Sequence, residues 1–240
     1  MGKAKKSALK LLPPTWREDM FACASQLDWC QSRPQLLPAL ALLWVTGCRP
    51  TEIEQGVRVY SRGDQLVIEV LGAKCNEAGA PERGQPKRTY GFVTRPDANS
   101  AEHPALAVLR VRAEQNMVDG TGSTLVVHSA DYLYNSVVAL GKVVFPKLRT
   151  RVSPYCFRHQ MASDLKADPA VPLEDAAKLM GHLSDYSIGR YGRAVHGKRG
   201  GERVKAVMVK TSRPVKHSPK VDKLARFKIA SANRRKLKPS

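Results

Sequence analysis

TGCRPTEIEQGVRVYSRGDQLVIEV, residues 46–70, contains the change of apolar period on which the fold class depends. Before it, apolar residues recur at helical spacing, and after Gly56 they alternate with polar ones as in a half-buried strand. Pro50 fits the first turn of a short helix, because its missing N–H would have no partner there. The segment predicts a passage from helices into a sheet, and thus a mainly helical α+β fold with a small antiparallel sheet.

The rest of the chain extends this pattern in both directions. We predict two helical stretches before it, at 15–31 and 35–47. Three strands are predicted at Val57–Tyr60, Leu66–Val70 and Thr89–Val93, with a long loop at 72–87. Further helices are predicted at roughly 104–115, 131–143, 156–166, 172–180 and 184–192.

The chain has a large excess of positive charge. Its 240 residues include 40 Lys and Arg against 21 Asp and Glu, a formal net charge of +19. Residues 193–240 hold 16 of these bases and two acids, so 14 of the 19 net charges lie there. The excess favours a polyanionic partner, nucleic acid before an acidic membrane, because a basic run gains affinity by releasing counterions. A solubilising tail is the alternative reading.

Hydropathy and cysteine usage bear on the compartment. No stretch reaches the roughly 20 apolar residues of a membrane helix, and the lysine-rich start is not followed by a signal-peptide core. The five cysteines are widely spaced and show no zinc-site spacing. We expect a soluble intracellular protein with reduced thiols and no metal or other cofactor.

The first segment with candidate chemistry is Thr46–Ile53. It places Arg49 at a glycine-containing corner between two helices, where a guanidinium can grip a phosphate with two parallel hydrogen bonds. Taken alone, the segment also fits an ion pair between Arg49 and Glu52 that ties the two helices together.

Two later segments complete the pattern. Ser153–Ala162 carries Arg158 early in an amphipathic helix, and Leu179–His182 closes a helix at a glycine. Tyr191 follows nine residues after the end of the latter segment. Each segment is weak alone, and the three are informative because of their order and separations.

Together the three segments resemble the signature of the tyrosine recombinase (phage integrase) family, in which TGxRxxE, HxxRH and LGH…Y occur in this order. The resemblance covers about residues 11–191. It implies the DNA breaking-rejoining catalytic-domain fold and site-specific DNA recombination or integration through a 3′-phosphotyrosyl intermediate, without metal or ATP. It further implies that Arg49 and Arg158 clamp the phosphate, that Tyr191 is the nucleophile and that His182 hydrogen-bonds the scissile phosphate.

The resemblance also implies a general acid, a lysine in the hairpin between the second and third strands, which protonates the leaving 5′-oxygen. Lys74, just after the second strand, occupies that place. Lys87, at the other end of the loop, is the alternative.

One position departs from the family pattern. Tyr155 stands where a histidine is usual, three residues before Arg158. A phenol can donate a hydrogen bond to a phosphate oxygen, but it does not exchange a proton near neutral pH as an imidazole does. Activity is therefore expected to be slower than in the family, or lost. Tyr186 and His159 are interpreted as structural.

By this resemblance the chain divides into a basic leader at 1–10, a catalytic domain at 11–195 and a basic, disordered tail at 196–240, without the usual N-terminal core-binding domain. The implied partners are double-stranded DNA, further copies in a dimer or tetramer on DNA, and an accessory protein that replaces the missing domain. The implied location is the bacterial cytoplasm at the nucleoid, in the service of a mobile genetic element. Two alternatives remain, a catalytically silent DNA-binding accessory protein and a related strand-nicking topoisomerase.

Overall fold

The computed structural model of the chain describes residues 8–73, 75, 84–94, 101–197, 204–226 and 230. Lys74 lies outside these residues, as does most of the loop predicted at 72–87. Among the described residues, no helix combines the length and the apolar character that a membrane crossing requires.

Several helices precede the sheet in the described part of the chain. They include α1 (Trp16–Gln26), α2 (Asp28–Gln31), α3 (Leu36–Thr46) and α4 (Pro50–Glu54). The stretch predicted at 15–31 is two helices, because Leu27 between them has extended backbone angles. α3 is buried along most of its length and ends at Gly47, whose φ of 57° lies in the left-handed region that favours glycine. This end turns the chain into the corner that carries Arg49.

The described residues form an antiparallel sheet of six strands. The strands are β1 (Val57–Arg62), β2 (Gln65–Leu71), β3 (Lys87–Val93), β4 (Met117–Val118), β5 (Thr121–Val126) and β6 (Met208–Thr211). Their order is β4-β5-β1-β2-β3-β6. The three predicted strands are confirmed as β1, β2 and β3, with Val57 opposite Val70 and Leu66 opposite Phe92. The prediction missed β4, β5 and β6.

Four of the five helices predicted after the first three strands are present at the predicted positions. They are α5 (Pro104–Glu114), α6 (Ala130–Val144), α7 (Pro154–Ala167) and α8 (Leu173–Leu179). The helix predicted at 184–192 is instead a 3-10 helix, Asp185–Arg190. The α-helix prediction was wrong there. The tighter 3-10 helix ends at Arg190 and is followed by Tyr191 in extended backbone.

Part of the predicted disordered tail has a defined place in the fold. Residues 204–226, which we call the C-terminal segment, contain β6, which pairs with β3 and places Tyr90 opposite Val209. Val221 is buried in an apolar cluster with residues of α7 and α8, and Leu224 and Ala225 pack against this cluster. Pairing with a sheet edge and apolar burial therefore give part of this basic stretch defined contacts in the fold.

Two apolar clusters meet along α7. The larger one includes Phe157, the sheet's inner face and the N-terminal helices, and the smaller one includes Ala162 and Leu165 together with Ile188 and Val221. Arg158 lies between the two along the helix. The arrangement therefore places a charged residue of α7 beside the α3–α4 corner, the end of α8 and the start of β3.

Candidate active site

Arg49 is the first residue of the site, at the corner between α3 and α4. The residue is 8% exposed. Its Nη1 donates to Oε1 of Glu52 at 2.7 Å, and its main-chain N–H donates to Oε2 of the same carboxylate at 2.7 Å. The ion pair that the sequence offered as an alternative is therefore present. Nη2 of Arg49 faces away from it and lies 3.5 Å from Oη of Tyr191.

Glu52 is shared by a second guanidinium, that of Arg88 at the start of β3. Arg88 donates from Nη1 to Oε1 at 3.0 Å and from Nη2 to Oε2 at 2.7 Å, a bidentate pair. Glu52 is fully buried and Arg88 is 1% exposed. Although burial raises the pKa of Glu52, Arg88 and Arg158 hold it well below its ordinary value. The carboxylate is therefore ionised and its acceptors are occupied.

Arg158 approaches from α7. Its Nη1 donates to the main-chain oxygen of Gly47 at 2.8 Å, and its Nη2 donates to that of Met180 at 2.5 Å. The same Nη2 lies 3.4 Å from Nε2 of His182. One guanidinium thus joins the α3–α4 corner to the turn after α8. Its Nε is buried without a hydrogen-bond partner within the described residues.

His182 follows the turn at the end of α8. Gly181 has φ +66°, and a Cβ there would come within 2.7 Å of Nη1 of Arg88, so the turn lies directly on that arginine. The histidine is 5% exposed. Burial, Arg158 and Arg49 lower its pKa to about 2, so the imidazole is neutral. Its Nδ1 is buried, and in the part of the chain that the structure describes it makes no hydrogen bond.

Tyr191 lies over these groups. Its ring stacks on that of His182 with 5.0 Å between centroids, and Cζ of Arg158 is 4.9 Å from the ring centroid. Nζ of Lys166 donates to the main-chain oxygen of Tyr191 at 3.1 Å, which fixes the backbone. A Cβ on the next residue, Gly192, would overlap Oγ of Ser163, so only glycine lets the chain approach α7 this closely.

The electrostatics of the site favour an anion. Three guanidiniums (Arg49, Arg88 and Arg158) surround one carboxylate, and the imidazole beside them is neutral, which leaves an excess of two positive charges. Burial raises the pKa of Tyr191, but Arg158 and Arg49 outweigh it and lower the pKa to about 8. Near neutral pH the phenolate is therefore far more populated than in an ordinary tyrosine.

The structure brings together four of the predicted site residues, Arg49, Arg158, His182 and Tyr191. Tyr155 lies three residues before Arg158 on α7, hence on the same side of the helix, and is half-buried. Its role stays a prediction, as does that of Lys74.

The structure also describes one alternative site residue and two residues that were interpreted as structural. Lys87, the alternative to Lys74, pairs through Nζ with Oε1 of Glu69 at 2.6 Å on the sheet. Tyr186 is 42% exposed, and the ring of His159 lies 5.4 Å from that of Tyr191.

Sequence reasoning missed Arg88, Tyr90 and Gln85. Oη of Tyr90 accepts from Nε of Arg88 at 2.6 Å and donates to the main-chain oxygen of Leu179 at 2.6 Å. Gln85 donates to the main-chain oxygens of His182 and Arg213, at 3.3 and 2.8 Å. The signal was the alternation of β3, in which Arg88 shares a face with Tyr90 and Phe92, because a charged residue on a buried face needs a partner.

The comparisons with known proteins add little to this geometry. No family model matches the sequence, and no curated protein matches it. A solved structure titled "Crystal structure of XerA recombinase" is similar with a TM-score of 0.46 and 15% identity, over 75% of this chain and 58% of that one. The chain thus spans less than two thirds of that protein's length. No group of three metal-ligating side chains occurs among the described residues.

Proposed function

We propose that this chain cleaves and rejoins DNA strands through Tyr191, as enzymes of the tyrosine recombinase type do, on the fold of their catalytic domain. The observation that carries the proposal is the position of the Tyr191 hydroxyl. It lies 3.5 Å from Nη2 of Arg49, and the ring lies over the guanidinium of Arg158. A nucleophile is thus placed beside two groups that bind phosphate.

The proposed reaction needs little more from the protein than position and charge. The oxygen of Tyr191 attacks the scissile phosphorus, the bond from phosphorus to the 5′-oxygen breaks, and the 5′-hydroxyl leaves with a proton. The phosphotyrosyl bond keeps the energy of the phosphodiester, so a 5′-hydroxyl of another strand can reverse the step. Arg49 and Arg158 neutralise the charge on the non-bridging oxygens. The lowered pKa of Tyr191 makes the attacking phenolate accessible near neutral pH.

Two buried nitrogens without partners support an anionic ligand. Nε of Arg158 and Nδ1 of His182 make no hydrogen bond among the described residues, which costs free energy in the free protein. A bound phosphate would supply acceptors beside them. Because His182 is neutral, we assign it a hydrogen bond to the phosphate and not a proton transfer.

The leaving 5′-oxygen requires a proton donor. Lys87 is held by Glu69 on the sheet, which favours Lys74 for this role. Tyr155, on the same side of α7 as Arg158, is assigned a hydrogen bond to the same phosphate.

The proposed partner is double-stranded DNA, bound by further copies of this chain in a dimer or tetramer. The net charge of +19 supports this partner, as does the concentration of basic residues after Arg193. An accessory protein is proposed as a further partner on DNA, and the setting is a mobile genetic element in a bacterial cytoplasm.

A second candidate is a silent DNA-binding accessory protein. The presence of Tyr155 in place of an imidazole favours it, because one proton-exchanging group of the signature is missing. In this reading the buried site binds phosphate without cleavage.

Covalent trapping decides between the two functions. A substrate nicked beside the cleavage point, on DNA that the protein binds specifically, should yield an adduct that survives denaturation and forms in the presence of a metal chelator. Tyr191→Phe should abolish the adduct and leave binding nearly intact, because it removes one oxygen and no charge. Tyr186→Phe is the matched control, since its ring is exposed, and should keep the adduct. Absence of the adduct from the wild-type protein would favour the silent binder.

A further inference from the structure

Arg88 connects two parts of the site that carry different functional groups. It lies on the buried face of β3 and is 1% exposed, with Tyr90 beside it on the same face. We propose that Arg88 is a positioning residue that holds Arg49 and the Leu179–His182 turn at the separation at which both can reach one phosphate. This inference rests on the proposed function.

The first connection runs through Glu52. Both terminal nitrogens of Arg88 bind this carboxylate, and the carboxylate binds the side chain and the main chain of Arg49. Because a fork-to-fork pair fixes the plane of the carboxylate, Arg88 also fixes the direction in which Arg49 points. Nη2 of Arg49 is then directed at Tyr191.

The second connection runs through Tyr90 to the end of α8. Nε of Arg88 donates to Oη of Tyr90 at 2.6 Å, and Tyr90 donates to the main-chain oxygen of Leu179 at 2.6 Å. The turn at Gly181 rests on the guanidinium itself, because even a Cβ there would come within 2.7 Å of Nη1. Arg88 therefore supports the turn that delivers His182.

Arg88 also sets the charge around Arg49. Glu52 carries one negative charge, and Arg88 shares it with Arg49. Without Arg88 the charge of the carboxylate would be balanced only by Arg49 and Arg158, and less net positive charge would act on the phenol of Tyr191. A residue that does not touch substrate can in this way affect both the geometry and the ionisation of the nucleophile.

The test compares two lysine substitutions, Arg88→Lys and Arg110→Lys. Arg110, on α5, is a matched control because it also binds one carboxylate through two nitrogens. That carboxylate is Glu102, and the third nitrogen of Arg110 binds Glu114. Each substitution keeps the charge and removes the fork. We expect Arg88→Lys to bind DNA within a few-fold of the wild type and to form the adduct roughly a hundredfold more slowly, as for a 1 Å misplacement. Arg110→Lys should form it at the wild-type rate.

A second variant and a second readout keep the inference testable if cleavage fails. Tyr90→Phe removes the link to Leu179 without changing charge, and it should slow the adduct while the melting temperature shows a folded protein. Arg88→Met should raise the pKa of the Tyr191 phenol, read from phenolate absorption after subtraction of Tyr191→Phe. This titration needs no DNA, so it reports on Arg88 even if the wild-type protein forms no adduct. Equal adduct rates in Arg88→Lys and Arg110→Lys, or an unchanged phenol pKa in Arg88→Met, would overturn the inference.

Discussion

Charged side chains hold together two regions of the molecule in different environments. One is the arginine–glutamate cluster (Arg49, Glu52, Arg88 and Arg158), and the other is the contact between the C-terminal segment and the rest of the fold. The members of the cluster are at most 8% exposed. The C-terminal segment is attached in part through His217, whose side chain is 64% exposed, to Asp185. A buried charge needs hydrogen-bond partners in fixed directions, because a buried charge without them is costly, whereas surface pairs are screened by water. We therefore expect substitutions in the cluster to lower stability strongly, and substitutions at the surface contacts of the C-terminal segment to have small effects.

Removal of the shared carboxylate should have the largest effect. In Glu52→Ala three buried guanidiniums lose their counter-charge, and we expect the free energy of unfolding in urea to fall by about 3–5 kcal/mol. Glu174→Ala removes a carboxylate that is 60% exposed from a pair with Lys178, so its effect should stay within about 1 kcal/mol. Similar decreases in the two variants would mean that the cluster is not the charge centre of the fold.

The backbone beside Tyr191 offers a second and smaller effect. Gly192→Ala places a Cβ against Ser163 and the main chain of α7, and such overpacking typically costs about 1–3 kcal/mol. It should also displace Tyr191 and lower the yield of the covalent adduct. Gly189→Ala is the control, because an added Cβ there meets nothing within 4 Å. A wild-type adduct yield from Gly192→Ala would show that the close approach to α7 does not position Tyr191.

The sequence predicted the parts of the fold in which local pattern and tertiary environment agree. β1, β2 and β3 alternate clearly, and the structure has them in those places. β5 (TGSTLV) was missed because small polar residues hide its alternation, and β6 was missed because its surroundings are basic. For both strands the missing information lies in the neighbouring strand, since pairing and not propensity makes them strands.

The same distinction applies to the candidate site. Arg49 and Tyr191 lie 142 residues apart, and only the order of three motifs suggested that they meet. Arg88 belongs to no motif, and its role depends on Tyr90 of the same strand, on Glu52 of α4 and on the Gly181 turn after α8. A hub of this kind is defined by convergence in space, which spacing along one sequence does not encode.

The charge that follows the C-terminal segment should affect DNA affinity and not stability. Residues 227–240 contain five basic residues and no acid. Their deletion should weaken DNA binding across sequences and lower the salt dependence of affinity by roughly one unit for each phosphate that is no longer neutralised. The deletion should begin there and not at 197, because the longer one also removes β6 and Val221. An unchanged salt slope, from binding isotherms at several salt concentrations, would exclude this stretch from the DNA grip.

The smallest expected effect is a pH dependence in the attachment of the C-terminal segment. Nδ1 of His217 lies 2.7 Å from Oδ2 of Asp185, Nε2 lies 3.1 Å from Oδ1 of Asp222, and the hydrogen bond to Asp185 raises the pKa of His217. A pKa that is raised in the attached state means that this contribution is full below the ordinary histidine value and is lost as the pH rises through the raised one. Amide hydrogen exchange of residues 216–221, corrected for its intrinsic pH dependence, should therefore show weaker protection at about pH 8 than at about pH 6. His217→Gln should remove this difference while β6 stays paired with β3, because the strand is held by main-chain hydrogen bonds that do not titrate. The same loss of protection in His217→Gln as in the wild type would assign the pH dependence to another group.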